Sequence, residues 1–64
     1  MPNDFLSGLM VAIQYLLQQG EDVHASEIVK LGNYSKEQYI QEAKKTGFMV
    51  KDTVKFLREH FNGQ

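Results

Sequence analysis

The chain has 64 residues, no cysteine and a formal net charge of −1 at pH 7. A chain of this length forms one small domain, residues 1–64, and buries only about 60% of the surface that its unfolded form exposes, so it is marginally stable alone. Without cysteine it has neither a disulfide nor a thiolate metal site, so oligomerisation is the remaining route to added stability. Its net charge argues against a general polyanion binder.

Targeting signals are missing from the sequence. The apolar run Phe5–Leu17 is shorter than the roughly 18 residues that cross a bilayer. The segment Met1–Asp4 carries an acid and no base, unlike the start of a signal peptide. Absence of cysteine also fits a reducing compartment. We therefore expect a cytoplasmic protein with no membrane partner.

The first predicted element is a helix over about residues 4–19, ended by Gly20. Of the thirteen residues Phe5–Leu17, ten are apolar, and no charge lies between Asp4 and Glu21. The apolar side chains fall on all sides of the helix, and such a helix must be covered on most of its sides. Because so short a chain has little with which to cover it, we expect a second copy or another protein to supply the rest.

Gly8 and Ala12 lie four residues apart in this first helix. A glycine inside a helix costs about 1 kcal/mol relative to alanine. Gly8 is therefore either a notch that lets another helix approach closely or a tolerated glycine, and the sequence leaves both interpretations open.

The second segment, residues 21–34, has no single interpretation. Ala25, Ile28 and Val29 suit a short helix. Ile28 and Val29 are also β-branched, and with the turn-forming Gly32–Asn33 behind them they suit a short strand. The turn favours the strand, and since a lone strand needs a partner, it would pair with its own copy across a two-fold axis.

The third segment begins with two features typical of a helix start. Ser35 and Gln38 form a capping box, in which each side chain binds the other residue's backbone amide. Tyr34 and Tyr39 occupy the positions of a hydrophobic staple, which packs across the first turn. These features predict a helix that begins at about residue 36.

A heptad repeat follows this helix start and favours one long helix over 36–61 with a seam for another helix. The alternative ends a helix at Thr46, with Gly47 as its C-terminal cap and with Lys44 and Lys45 near the negative helix end. The residues that recur at alternating steps of three and four are Ile40, Ala43, Gly47, Val50, Val54, Leu57 and Phe61.

The predicted fold is mainly α: two helices, about 4–19 and 36–61, joined by a short strand or helical turn. Both helices carry more apolar surface than one chain can cover, which predicts an intertwined homodimer. The predicted dimer interface consists of Phe5, Leu9, Ile13, Leu16, Ile40, Ala43, Gly47, Val50, Val54, Leu57 and Phe61.

A second apolar strip lies off the heptad seam. Methionine and phenylalanine side chains suit an adaptable groove for an amphipathic helix. We therefore expect a non-enzymatic regulatory module that docks a host or partner protein through an apolar cleft. The residues predicted to line this cleft are Met10, Leu17, Phe48, Met49 and Phe56.

Enzyme chemistry is poorly supported. His24 and His60 are the histidines of the chain, and they lie in different segments. The sequence has no metal-ligand spacing, glycine-rich phosphate loop or nucleophile motif. Asp52 and Glu59 suit a solvated helix face better than paired acid–base work. We expect no catalytic, cofactor or metal site.

The segment from Leu16 to Val29, followed by Tyr34-Ser35-Lys36-Glu37, resembles the opening of a winged helix-turn-helix. The resemblance implies a helix that ends in glycine, a second helix from about Ala25-Ser26-Glu27, a recognition helix that begins at the serine, and DNA binding. The sequence departs from this pattern on the recognition surface, where Glu37 and Glu42 would repel phosphates and no arginine is present to bind guanine. Lys44, Lys51 and Arg58 line one edge of the third segment and would contact phosphates. We expect no nucleic-acid partner, and DNA binding is the alternative function.

In overall character the chain resembles the small early-region accessory proteins of lambda-like temperate phages. The shared features are a tiny cysteine-free chain, a very apolar first helix over 5–17, a short middle segment over 28–32 and a long last helix. This resemblance implies a protein of the host cytoplasm that binds host or phage factors and promotes lytic development.

Overall fold

The computed structural model describes residues 4–63, which form four helices and no strand. The mainly helical class is as predicted, but the number of helices is four rather than two. None of the helices in this part of the chain is long and apolar enough to span a membrane. The helices are α1 (Asp4–Gln18), α2 (Asp22–Gly32), α3 (Lys36–Thr46) and α4 (Val50–Asn62).

Helix α1 ends as the sequence predicts, at a glycine. Gly20 has a φ of 77°, and its amide donates to the carbonyl of Leu17 at 3.0 Å. The amide of Glu21 donates to the carbonyl of Leu16 at 2.8 Å. These two bonds form the Schellman motif, which satisfies carbonyls at the end of a helix from within the same segment. The turn therefore needs no other part of the chain to close it.

The prediction of a strand in the middle segment is wrong, because this segment forms helix α2. Ala25 and Val29 are buried four residues apart, which places them on one helix face. The turn-forming pair Gly32–Asn33 ends the helix instead of a strand. Asn33 is left-handed, with a φ of 57°, and its amide donates to the carbonyl of Val29.

The prediction of one helix over 36–61 is also wrong, and the alternative break at Gly47 is confirmed. Helix α3 ends at Thr46, and Gly47 has a φ of 66°. A continuous helix requires a φ near −63°, whereas glycine adopts the left-handed region at little cost. Lys44 and Lys45 lie in the last turn of α3, where cations stabilise the negative helix end.

The start of α3 is confirmed in detail. The Ser35 hydroxyl accepts from the amide of Gln38 at 3.1 Å, and the Gln38 side chain accepts from the amide of Ser35 at 3.0 Å. Tyr34 and Tyr39 meet edge to face with ring centroids 5.7 Å apart, as in a hydrophobic staple. Local sequence is sufficient to fix this helix end.

The hydrophobic core draws side chains from all four helices. Helix α1 packs against α2 and α3, and α3 packs against α4. The chain thus covers much of the apolar surface that was expected to need a second copy. The buried apolar residues are Leu6, Leu9, Met10 and Ile13 of α1, Ala25 and Val29 of α2, Tyr39, Ile40 and Ala43 of α3, and Leu57 of α4.

This core contains part of the predicted dimer interface. The residues of that interface that the chain buries by itself are Leu9, Ile13, Ile40, Ala43 and Leu57. Phe5 and Gly47 are exposed. The half-buried members are Leu16, Val50, Val54 and Phe61. Part of the predicted interface therefore packs within one chain, because the break at Gly47 folds α4 back on α3.

Tyr39 joins α3 to α2 at the centre of the core. Its side chain is fully buried, and its hydroxyl donates to the carbonyl of Val29 at 2.7 Å. Burial raises the pKa of Tyr39 above its ordinary value. A Cβ at Gly32 would overlap the Tyr39 hydroxyl and the Leu9 side chain, so any larger residue there would force these side chains to shift.

Candidate functional site

An apolar cleft lies between the end of α1, the α3–α4 turn and α4. Its volume is about 260 Å³. Leu17, Met49 and Phe56 supply its apolar lining, and all three are half-buried. We call it the acidic cleft because three carboxylates and one ammonium group surround that lining: Asp22, Asp52, Glu59 and Lys55.

The structure brings together three of the five residues predicted for the cleft. Met10 is fully buried in the core and lines no surface. Phe48 lies in a separate groove beside Val11 and Tyr15. Phe48 is separated from the cleft because the helix breaks at Gly47. Residues 48 and 49 therefore belong to a turn and not to the helix on which the prediction placed them.

Gln14 of α1 holds this turn in place. Its side chain is buried, and its Nε2 donates to the carbonyl of Phe48 at 2.8 Å and to the hydroxyl of Thr46 at 3.0 Å. On the other side, the Thr53 hydroxyl donates to the carbonyl of Met49 at 2.7 Å. The turn is therefore tied to α1 and to α4 by side chains.

Sequence reasoning missed Gln14. The residue is the one amide in the apolar run Phe5–Leu17, and a lone amide among apolar side chains is a sign of a buried hydrogen-bonding role. The signal was present, but its acceptors lie more than thirty residues away in the sequence. They could not be named without the tertiary structure.

Met49 has a strained backbone. Its φ of 50° and ψ of 38° place it in the left-handed region, which costs roughly 1–2 kcal/mol for a residue with a Cβ. Asn33 is the other non-glycine residue with a positive φ between residues 4 and 63, and asparagine tolerates that region better. Backbone strain is often found at binding sites, and here it falls on a residue that lines the acidic cleft.

The charges around the acidic cleft have a local role as well. Asp22 and Asp52 lie in the first turns of α2 and α4, where negative charge offsets the positive end of the helix dipole. Glu59 adds a third carboxylate against the single ammonium group of Lys55. The rim is net negative, so it attracts cationic groups.

A second groove, of the other charge, adjoins the acidic cleft along α4 and shares Lys55 and Glu59 with it. Lys51, Lys55 and Arg58 recur at steps of four and three, so they share one helix face. Val50 and Val54 form the apolar floor of this groove of about 410 Å³. We call it the basic groove, and its remaining lining residues are Lys44 and Glu59.

Of the two helix starts that the helix-turn-helix resemblance implies, one agrees with the structure and one does not. Helix α3 begins directly after Ser35, whereas α2 begins at Asp22, upstream of the expected start. Helix α4 follows α3, and residues 4–63 contain no strand. Glu42 is buried and accepts from the Ser7 hydroxyl at 2.8 Å, so it does not face outward as the sequence suggested.

The two histidines lie apart. His60 of α4 is half-buried, with Nδ1 3.3 Å from the Ser26 hydroxyl of α2. Burial, and secondarily the charge of Lys30, lower the pKa of His60 below its ordinary value. His24 is exposed beside Glu21. Nowhere in the described part of the chain do three His, Cys, Asp or Glu residues cluster as metal ligands would.

Comparison with known proteins finds no match for this chain among family models, curated sequences or solved structures. The likeness to phage accessory proteins therefore stays a prediction.

Proposed function

We propose that this chain is a non-enzymatic protein-interaction module that docks an amphipathic helix of a partner protein in the acidic cleft. The observation that carries the proposal is the convergence of Leu17, Met49 and Phe56 from three separate parts of the chain. An apolar lining inside a charged rim is the usual make-up of a groove that receives the apolar face of a helix.

The chemistry of the cleft defines the partner. Methionine and phenylalanine adapt to different apolar shapes, so the anchor is one or two large apolar side chains. The cleft is smaller than the roughly 300 Å³ at which small-molecule pockets begin, which favours such side chains over a cofactor. Three carboxylates on the rim favour lysine or arginine beside that anchor.

A peptide titration tests this function. The probe is a designed amphipathic helix with leucine on one face and lysine on the other, and its control has glutamate in place of every lysine. We expect the lysine peptide to bind at least about tenfold more tightly, a difference of about 1.4 kcal/mol, and to shift the NMR signals of Leu17, Met49 and Phe56.

Two variants locate the binding. Phe56→Ala removes the largest side chain of the acidic cleft and should weaken binding of the lysine peptide. Leu31→Ala removes an apolar side chain that is exposed on α2 and should leave binding unchanged. Equal binding of both peptides, or signal changes confined to other surfaces, would refute docking in the acidic cleft.

Nucleic-acid binding is the second candidate function, and the basic groove favours it. Four cationic side chains line that groove against one carboxylate, and Glu42 is turned inward. The test is a titration of labelled mixed-sequence duplex at two salt concentrations, with a variant in which Lys44, Lys51 and Arg58 are neutralised. We expect no affinity beyond the non-specific range of about 10⁻⁴ to 10⁻⁶ M, whereas tight, salt-sensitive binding that the variant loses would favour this second function.

A further inference from the structure

The outer side of α1 remains exposed although the chain has a core of its own. Val11 is 64% exposed and Tyr15 is 60% exposed. Gly8 and Gln18 lie on the same side, because residues at steps of three and four share one helix face. Phe48, 49% exposed, borders this side across a groove of about 370 Å³ that no charged residue lines. We call the surface formed by Gly8, Val11, Tyr15, Gln18 and Phe48 the uncharged face.

Gly8 has no explanation within a single chain. It has no positive φ, and a Cβ built on it would meet nothing within 4 Å. Alanine would fit there and would stabilise the helix by about 1 kcal/mol. The fold of one chain therefore gives no reason for a gap at this position, whereas close approach of another helix does.

We propose that the uncharged face binds a second copy of the chain, with the two α1 helices antiparallel across a two-fold axis. Gly8 and Tyr15 are seven residues apart, or about 10.5 Å along the helix. Antiparallel packing centred between Val11 and Ala12 places the Tyr15 ring of each copy over Gly8 of the other. The projecting ring and the gap are complementary, and the symmetry forms this contact twice.

The charge pattern favours a second copy over a different protein. Residues close to a two-fold axis lie near their own equivalents, so like charges there repel one another. Between Asp4 and Glu21 the chain has no charge to repel. Antiparallel packing also brings the positive end of each helix dipole near the negative end of the other. This dimer leaves the core of each chain intact and differs from the intertwined arrangement expected from the sequence.

Sedimentation equilibrium over about a hundredfold range of concentration tests the dimer. Gly8→Gln fills the gap with a good helix former, and Tyr15→Ala removes the ring. We expect the wild-type chain to dimerise as its concentration rises and both variants to lose at least tenfold in dimer affinity. Leu31→Gln, which removes an exposed apolar side chain elsewhere, should dimerise like wild type.

A thermal measurement on dilute protein separates this effect from unfolding. Gly8→Gln should raise the midpoint of unfolding of the monomer, because it replaces a helical glycine, while it weakens the dimer. A wild-type chain that stays monomeric at every concentration, or a dimer that neither Gly8→Gln nor Tyr15→Ala weakens, would overturn the proposal.

Cross-linking tests the register, since the chain has no cysteine of its own. Val11→Cys lies near the two-fold axis and should form a disulfide with its own copy under mild oxidation. Gln18→Cys lies about 20 Å from its equivalent in an antiparallel pair and should not. Cross-linking of both variants would indicate a parallel arrangement and would overturn the proposed contact between Tyr15 and Gly8.

Discussion

The two turns that join the helix pairs look alike but are held in different ways. Residues 19–21 join α1 to α2, and residues 47–49 join α3 to α4. Each contains a left-handed glycine, Gly20 or Gly47. The first turn is closed by backbone hydrogen bonds to the last turn of its own helix, whereas the second depends on side chains from α1 and α4. A short turn can therefore depend on side chains that lie far from it in the sequence.

The difference matters because the second turn carries the candidate site. Met49 lines the acidic cleft and Phe48 borders the uncharged face. The Phe48 carbonyl accepts from Gln14 of α1, and the Met49 carbonyl accepts from Thr53 of α4. A change in the packing of α1 would therefore move the cleft without altering any residue that lines it.

The largest expected effect comes from Gln14→Leu. The change keeps the volume but removes the hydrogen bonds to Thr46 and Phe48, so polar groups of the turn lose their partner. We expect a loss of about 2 kcal/mol in the free energy of unfolding, measured by urea denaturation. The matched control is Gln41→Leu at an exposed position, which should change stability by less than about 0.5 kcal/mol. Similar values for both variants would contradict a supporting role for Gln14.

Alanine at the two turn glycines compares the backbones directly. A Cβ has open space at both positions, so the cost is conformational. Gly20→Ala and Gly47→Ala should each destabilise the fold by about 1–2 kcal/mol, because both need a positive φ. If Gly47→Ala instead raised the midpoint of thermal unfolding, the result would favour a continuous helix over 36–61.

Two substitutions at Met49 isolate its backbone strain. Met49→Ala and Met49→Gly both remove the side chain, but only glycine relieves the left-handed conformation. Met49→Gly should therefore be about 1 kcal/mol more stable than Met49→Ala in urea denaturation. At Val54, inside α4, the order should reverse, with alanine the more stable by about 1 kcal/mol. The same order at both positions would exclude strain at Met49.

The smallest effect concerns the contact between α4 and α2. The folded-state pKa of His60 is lower than its ordinary 6.5, so the folded chain binds fewer protons than the unfolded chain just below that pH. The stabilisation from neutral His60 is thus present above about pH 6.5 and is lost as the pH falls through the lowered folded-state pKa. The thermal midpoint should fall over this window, and His60→Gln should remove part of the fall while His24→Gln does not. Parallel pH profiles for wild type and His60→Gln would contradict this.

The sequence by itself determined the features that depend on neighbouring residues. The capping box at Ser35 and the end of α1 at Gly20 were predicted and confirmed, because each is completed by hydrogen bonds within a few residues. The mainly helical class follows from the same short-range patterns. Of the five residues predicted to line a cleft, Leu17, Met49 and Phe56 share one, whereas Met10 is buried and Phe48 lines another groove.

Tertiary structure decided between alternatives that the local sequence patterns left open. The heptad continued through Gly47, and residues 28–33 suited a strand as well as a helix. Packing chose the alternatives in which α2 buries Ala25 and Val29 and α4 folds back to bury Leu57. The same packing buried Met10 and directed Gln14 to acceptors far along the chain. Periodicity shows which side chains need cover but not which part of the chain supplies it, because that depends on contacts between distant residues.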